Sequence, residues 1–271
     1  MDLYALFVAF ILGLVEGMTE FAPISSTGHM IIVDDLLLHS KEIFSSSVAN
    51  SFKVVIQLGS ILAVVVVFKE RFIDLLDLRK RHIYQSQRLT LTKIIVGLIP
   101  AGVLGFLFED YIDEHLFSVE TVIIGLVLGA FLMILADKFR PNFAKETVDE
   151  ISYKQALGMG LFQCIGLWPG FSRSGSTISG GVLLGMSHRA ASDFTFIMAV
   201  PVMLGASGLS LIKNWQYFTI DALPFFIVGF ISAFIFALLS IRFFLKLINR
   251  IKLVPFAIYR ILLAILIIIV Y

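Results

Sequence analysis

Apolar residues run along this chain in stretches too long for the one-sided stripe of a soluble helix. No Asp, Glu, Lys or Arg interrupts Thr121 to Ala136 or Ala222 to Ile241. From Pro255 to Tyr271 the only charge is Arg260. A bilayer core takes about 20 apolar residues per helix. The pattern predicts six transmembrane helices, at about 50–68, 93–108, 120–137, 191–212, 223–243 and 254–271. Two further apolar stretches, about 3–30 and 157–187, carry charge or a Gly, Pro and Ser cluster in their middle. They read as re-entrant broken-helix segments. The expected fold class is therefore an all-α integral membrane protein with six transmembrane helices plus two re-entrant segments.

Composition agrees. Of 271 residues, 58% are hydrophobic and 15% charged, against roughly a quarter charged in soluble domains. Mean hydropathy is +0.95. The net charge of +1 argues against nucleic-acid binding. Met1-Asp2 gives no basic leader region and the first apolar run meets Glu16 and Glu20, so the N-terminus is expected to be retained. Cys164 is the single cysteine, which excludes an internal disulfide and disfavours a Cys-based metal site.

Charge bias sets an orientation. The 69–93 connection holds Lys69, Arg71, Arg79, Lys80, Arg81, Arg88 and Lys93 against three acids. The 242–252 connection holds Arg242, Lys246, Arg250 and Lys252 and no acid. These and 138–156 are expected inside. The 109–120 connection, with five acids and no Lys or Arg, and 213–222 are expected outside. Segment 3–30 then dips in from the outer side and 157–187 from the inner. A single membrane domain, 1–271, would divide into halves 1–137 and 157–271 joined by loop 138–156. Each half would be one re-entrant segment and three spans, an inverted-topology repeat with its site at the interface. Residues 13–28 align without gaps to 160–175, with Gly13, Leu14, Ser25 and Gly28 matched identically.

Two polar clusters sit on these segments. The first is Glu16, Glu20, Ser25, Ser26, Thr27, Gly28 and His29. Glu16 and Glu20, four apart, share a helix face. Pro23 limits that helix, and the hydroxyl-rich turn beyond it can present donors to an anion. The second is Ser172, Arg173, Ser174, Gly175, Ser176 and Thr177, after Pro169-Gly170. Arg173 keeps its charge and grips phosphate bidentately. Structural readings compete: ion pairing within a tight bundle, with glycines for close packing. The two readings combine if Arg173 pairs with Glu20 until substrate arrives. The carboxylates suit an anion site only if they hold a divalent metal or move protons; oxygen ligands suit Mg²⁺ or Ca²⁺. Gln57, inside an apolar span, is a candidate site hydrogen-bonder. His188 and Arg189 read as inner-surface anchors, Trp168 as loop packing and Trp215 as part of an aromatic belt. Arg260 either snorkels, pairs across the bundle or meets substrate.

Residues 16–29, Glu-Gly-Met-Thr-Glu-Phe-Ala-Pro-Ile-Ser-Ser-Thr-Gly-His, and 169–177, Pro-Gly-Phe-Ser-Arg-Ser-Gly-Ser-Thr, resemble the two signature motifs of the bacterial undecaprenyl-diphosphate phosphatases of the bacitracin-resistance type. The resemblance extends to Val-Ile-Gln-Leu-Gly-Ser-Ile-Leu-Ala-Val (55–64) and Pro-Phe-Ala-Ile-Tyr-Arg (255–260). It implies hydrolysis of undecaprenyl diphosphate to undecaprenyl phosphate and inorganic phosphate, recycling the carrier lipid of wall synthesis. It implies a divalent cation and a site opening to the outer side of the bacterial cytoplasmic membrane. Carried onto this chain, the family's catalytic residues fall at Glu16, Glu20, Ser26, His29 and Arg173, with Thr27 beside them. Glu16 and Glu20 would hold the metal. Ser25, Thr27, Gly28, Ser172, Ser174, Gly175, Thr177 and Gln57 would line the substrate. The expected partners are the polyprenyl diphosphate and the bilayer; a homodimer is compatible with the sequence. Three nucleophiles stay open: Ser26 (with His29 or a glutamate as base), His29 itself, or a metal-bound water. The rival function is a lipid or ion transporter with a phosphate site at the repeat interface.

Overall fold

The computed structural model describes residues 3–43, 46–76, 88–141, 144–213, 215–217 and 220–271. Regular structure among them is helical, apart from one isolated bridge between Lys145 and Met186. Helix α1 spans Leu3–Thr19, α2 Ser26–Met30, α3 Ser40–Ile43, α4 Ser46–Val67, α5 Lys69–Leu76 and α6 Leu91–His115. After them come α7 Val119–Lys138, α8 Tyr153–Ile165, α9 Arg173–Leu183, α10 His188–Lys213, α11 Leu223–Ile251 and α12 Val254–Val270. Between α2 and α3 the chain runs through Ile31–Leu38 in wide π-type turns.

Several boundaries have local causes. Ser118 opens α7 and Ser152 opens α8 with capping boxes that satisfy the first free N–H groups. Pro224 and Pro255 start α11 and α12, where a missing N–H costs nothing.

Five helices have the length and hydropathy to cross a bilayer: Val48–Val67, Leu91–Phe108, Val119–Lys138, His188–Lys213 and Leu223–Ile251. This corrects the expected six transmembrane helices plus two re-entrant segments. The sixth apolar run forms α12, only 17 residues long because it begins at the Val254-Pro255 turn. The first supposed re-entrant segment holds an unbroken 17-residue helix, α1. The second is helix α8, a turn and helix α9. Hydropathy located the apolar runs but not how much of each is one straight helix. Three of the long helices precede residue 139 and two follow it, together with the 17-residue α12. Of the basic connection after α5, Arg79, Lys80 and Arg81 lie outside the described residues.

Outward faces are apolar. Phe106 is 77% exposed and Ile212 73%, which water would penalise and lipid accepts. Inside, α1 packs along α11, α11 along α4, and α7 along α12, while α9 lies among α7, α8 and α10. The α1–α11 seam rests on Gly13 and Gly17. A Cβ at Gly13 would overlap the Gly229 carbonyl oxygen, and one at Gly17 the Ala233 carbonyl oxygen. Small residues four apart let the two backbones approach closely, the usual membrane solution. Ser232 then reaches the Phe10 carbonyl at 2.8 Å.

Gly17→Leu should force the helices apart and cost roughly 1–3 kcal/mol. A lowered thermal midpoint of the purified protein in detergent checks this; an unchanged midpoint would mean the seam is loose.

Candidate active site

Two short turns carry the chemistry, and they are locally alike. After α1 the chain passes Pro23 and places Ser25 at φ 72°, ahead of α2. After α8 it passes Pro169-Gly170 and places Ser172 at φ 70°, ahead of α9. Each serine side chain accepts from the N–H three residues on: Gly28 to Ser25 at 3.3 Å and Gly175 to Ser172 at 3.1 Å. The ungapped alignment of 13–28 with 160–175 pairs these two serines and these two glycines. A non-glycine residue at positive φ costs on the order of 1–3 kcal/mol and persists only where surroundings over-determine it. Gly175 has a reason of its own: a Cβ there would lie 2.9 Å from Arg260 Nη1.

The turns meet. Arg173 Nη2 lies 3.1 Å from Glu20 Oε1, the pairing anticipated from sequence. Ser26 donates its hydroxyl to the other oxygen, Glu20 Oε2, at 2.7 Å. Ser174 donates to the Ala22 carbonyl at 3.2 Å, stitching the second turn to the first. A cavity of about 180 Å³ is bounded by Glu20, Ser25, Ser26, Thr27, Gln57, Ser172 and Arg173. It abuts a larger one of about 920 Å³ that shares Ser26, Thr27 and Gln57 and adds Glu16 and Lys53. Glu16 is nearly buried, and its Oε1 has no hydrogen-bond partner; neither has Arg173 Nη1. A buried carboxylate oxygen and a buried guanidinium nitrogen in that state each have room for a partner, water or ligand.

Other expected site residues sit one step back. His29 lines neither cavity. Its Nδ1 is 2.7 Å from the Ser25 carbonyl, which only accepts, so Nδ1 carries the hydrogen. Neutral His29 then accepts the Tyr259 hydroxyl at Nε2, also 2.7 Å away. Both ring nitrogens are thus engaged away from Ser26. Thr177 is fully buried in α9, donating to the Arg173 carbonyl at 2.8 Å and accepting from Thr195 at 3.0 Å. Gly28, Ser174 and Gly175 are buried turn and helix residues that shape the site without lining either cavity.

Oxygen donors fit a hard divalent cation. Glu16 and Glu20 lie on neighbouring turns of one helix end, and Glu16 has a spare oxygen. No group of three or more His, Cys, Asp or Glu side chains able to hold a metal occurs among the described residues. One or two carboxylates can still share such an ion with phosphate oxygens.

Three residues that sequence reading ranked low or missed support the site. Arg260 is completely buried. Its Nη2 donates to the Gly170 carbonyl at 2.9 Å and the Gly125 carbonyl at 3.0 Å, so it neither snorkels nor touches a cavity but ties the Pro169-Gly170 turn to α7. Its isolation in an apolar run was the available signal. Asp34, 1% exposed, pairs with Lys53 at 2.9 Å and accepts the Ser40 N–H at 3.0 Å. Burial opposes the Asp34 charge, but Lys53 and the Ser40 bonds outweigh it and hold this carboxyl below its usual range. The spacing of Lys53 and Gln57, one helical turn apart, was the signal for Lys53; Asp34 had none.

Comparison with known proteins matches residues 9–266 to the family described as bacitracin resistance protein BacA. An undecaprenyl-diphosphatase of Geobacillus sp. (strain WCH70) is 74% identical, with the whole of both chains covered. One from Anoxybacillus flavithermus is 70% identical over all of this chain and 99% of its own. One from Bacillus subtilis (strain 168) is 64% identical, again over all of this chain and 99% of its own.

Arg260→Met should remove a buried cation's donors from the Gly170 and Gly125 carbonyls and untie the turn from α7, costing roughly 2–5 kcal/mol. Both the detergent melting midpoint and phosphate release should fall together, although Arg260 borders neither cavity; a stable variant with intact turnover would refute the tie.

Proposed function

This chain belongs to the bacitracin resistance protein BacA family, and we infer from that membership that it hydrolyses undecaprenyl diphosphate to undecaprenyl phosphate and inorganic phosphate. It is a multi-pass membrane phosphatase acting on a lipid substrate in the service of wall synthesis. The observation that carries its mechanism is the simultaneous contact of Glu20 with Ser26 and Arg173.

Ser26 is the nucleophile in this reading and Glu20 its base. In the free site Arg173 holds one oxygen of Glu20. The terminal phosphate of the substrate competes for that guanidinium, as phosphate does for any planar fork. Freed of the guanidinium, the Glu20 carboxylate has one oxygen to offer a cation. Its other oxygen already accepts the Ser26 proton at 2.7 Å, within the reach a general base needs. Glu20 takes the proton, Ser26 Oγ bonds to the terminal phosphorus, and the bond to the bridging oxygen breaks. The electron pair leaves on undecaprenyl phosphate. Glu20 passes that proton to the departing undecaprenyl phosphate, then takes one from the water that attacks the phosphoserine; as the Oγ–P bond breaks, Glu20 returns the proton to the serine oxygen and inorganic phosphate departs. Arg173 and the Thr27 hydroxyl face the transferring group throughout. His29 contributes by holding the Ser25 turn through its Nδ1–H.

Glu16 and Glu20 would hold the divalent cation, Mg²⁺ or Ca²⁺, together with oxygens of the diphosphate. When bound, it neutralises charge on the phosphates and polarises the terminal group.

The site opens to the outer side in this reading. The larger cavity borders Phe117, Ser118 and Glu120, at the end of the acidic 109–120 connection. The basic connections meet elsewhere, where Arg71 pairs with Asp149 at 2.7 Å. The positive-inside rule puts that second end in the cytoplasm.

Purified wild type in detergent should release phosphate from undecaprenyl diphosphate, and a chelator should suppress it. Ser26→Ala and Glu20→Gln should each lose roughly 10²–10⁴-fold in kcat, and rapid quench should trap a phosphoserine in wild type alone. Near-normal turnover by Ser26→Ala would transfer the attack to water.

A further inference from the structure

We propose that Lys53 is a binding residue for the phosphate that stays on the lipid, and so sets the preference for diphosphate over monophosphate substrates. The proposal rests on the phosphatase reading of the preceding section and deepens it.

The small cavity has room and charge for one phosphate. Among the described residues its only basic one is Arg173. A diphosphate ester carries a second anionic group a few ångströms away, and that group needs its own counter-charge. Where it goes is constrained by the cavities. Thr27, Ser26 and Gln57 line both, so the route from the small cavity to the large one passes them. Asn50, Lys53 and Gln57 all line the large cavity. They fall at helical spacings of three and four on α4, one polar stripe in an apolar helix. One turn separates Gln57 from Lys53, roughly 5–6 Å along the stripe. A diphosphate whose terminal group lies at Arg173 and Ser26 therefore runs its second group past Gln57 toward Lys53.

Lys53 has the condition of a prepared ligand-binder. Its side chain is 30% exposed, inside a cavity, while its partner Asp34 is 1% exposed. An ammonium has three donors, and the pair with Asp34 takes one face of it. Asp34 is itself fixed, accepting the Ser40 N–H at 3.0 Å next to His39, which sits at φ 49°. The lysine is thus held by a rigid buried carboxylate instead of sweeping the cavity. Lys53 is also close enough to Glu16 for the two charges to interact. That places it near Glu16, which lines the same cavity. The other lysine of this cavity, Lys41, pairs with Asp35 at 3.6 Å and is half exposed, so it belongs to the mouth. Simple neutralisation of Asp34 explains the ion pair but not why the lysine lines the same cavity as Ser26 and Glu16.

The two products separate the phosphates. Undecaprenyl phosphate carries the retained group and inorganic phosphate the transferred one. In full-length protein in detergent, Lys53→Met should raise KM for undecaprenyl diphosphate about tenfold, with a smaller loss in kcat. It should weaken product inhibition by undecaprenyl phosphate by a similar factor and leave inhibition by inorganic phosphate unchanged. Lys53→Arg should restore most of the affinity. If Lys53→Met folds poorly because Asp34 is left buried and unpaired, the double variant Lys53→Met/Asp34→Asn removes both charges and should show the same pattern. An unchanged KM, or equal weakening of both inhibitors, overturns the proposal. Wild type that releases no phosphate would instead overturn the phosphatase reading beneath it.

Discussion

Glu20 touches a serine on its own turn and an arginine on another, and the rest of the site is arranged around keeping it there. A carboxylate at membrane depth is costly unless it is paired or protonated. Here one guanidinium offsets that cost and one hydroxyl uses the carboxylate's remaining capacity. The same contact joins two turns separated by more than a hundred residues of chain. Breaking it without a phosphate to take the guanidinium would leave two buried charges exposed to each other's absence. The two turns are therefore held together by an internal ion pair, which an anion able to take the guanidinium would open at the lowest cost.

Around that pair the protein spends backbone strain and buried hydrogen bonds. Ser25 and Ser172 adopt a backbone conformation that favours glycine. Both keep a side chain because its oxygen caps the helix that follows. Arg260 secures the second turn from behind through carbonyls, without an acidic partner among its hydrogen bonds. Tyr259, the residue before it, secures the first through His29. One short stretch of α12 thus braces both turns.

The sequence made some of this legible. Apolar runs gave the helical membrane class, and the Glu16/Glu20 spacing put both acids at one helix end. Arg173 opposite Glu20 followed from complementary charges at membrane depth. What failed was counting. Hydropathy sums over a window, so it treated the stretch 254–271 as equal to 223–243, although one forms 17 helical residues and the other lies in 29. Nor did one-dimensional reading show which way His29 points. That is decided by Tyr259, 230 positions away. The bracing role of Arg260 depends on two carbonyls that no residue code announces.

The glycine seam between α1 and α11 has a meaning beyond packing. Gly13, Glu16, Gly17 and Glu20 follow the spacing of a single helical stripe, so the surface that fixes α1 against its neighbour is nearly the surface that carries the acids. Sliding α1 by one residue in its groove would shift each carboxylate by about 1.5 Å and swing it through about 100°. Reagent placement and membrane assembly are therefore set by the same register. A lineage that repacked this groove would have to rebuild its chemistry in the same step, whereas residues on the lipid side of α1 are free to drift.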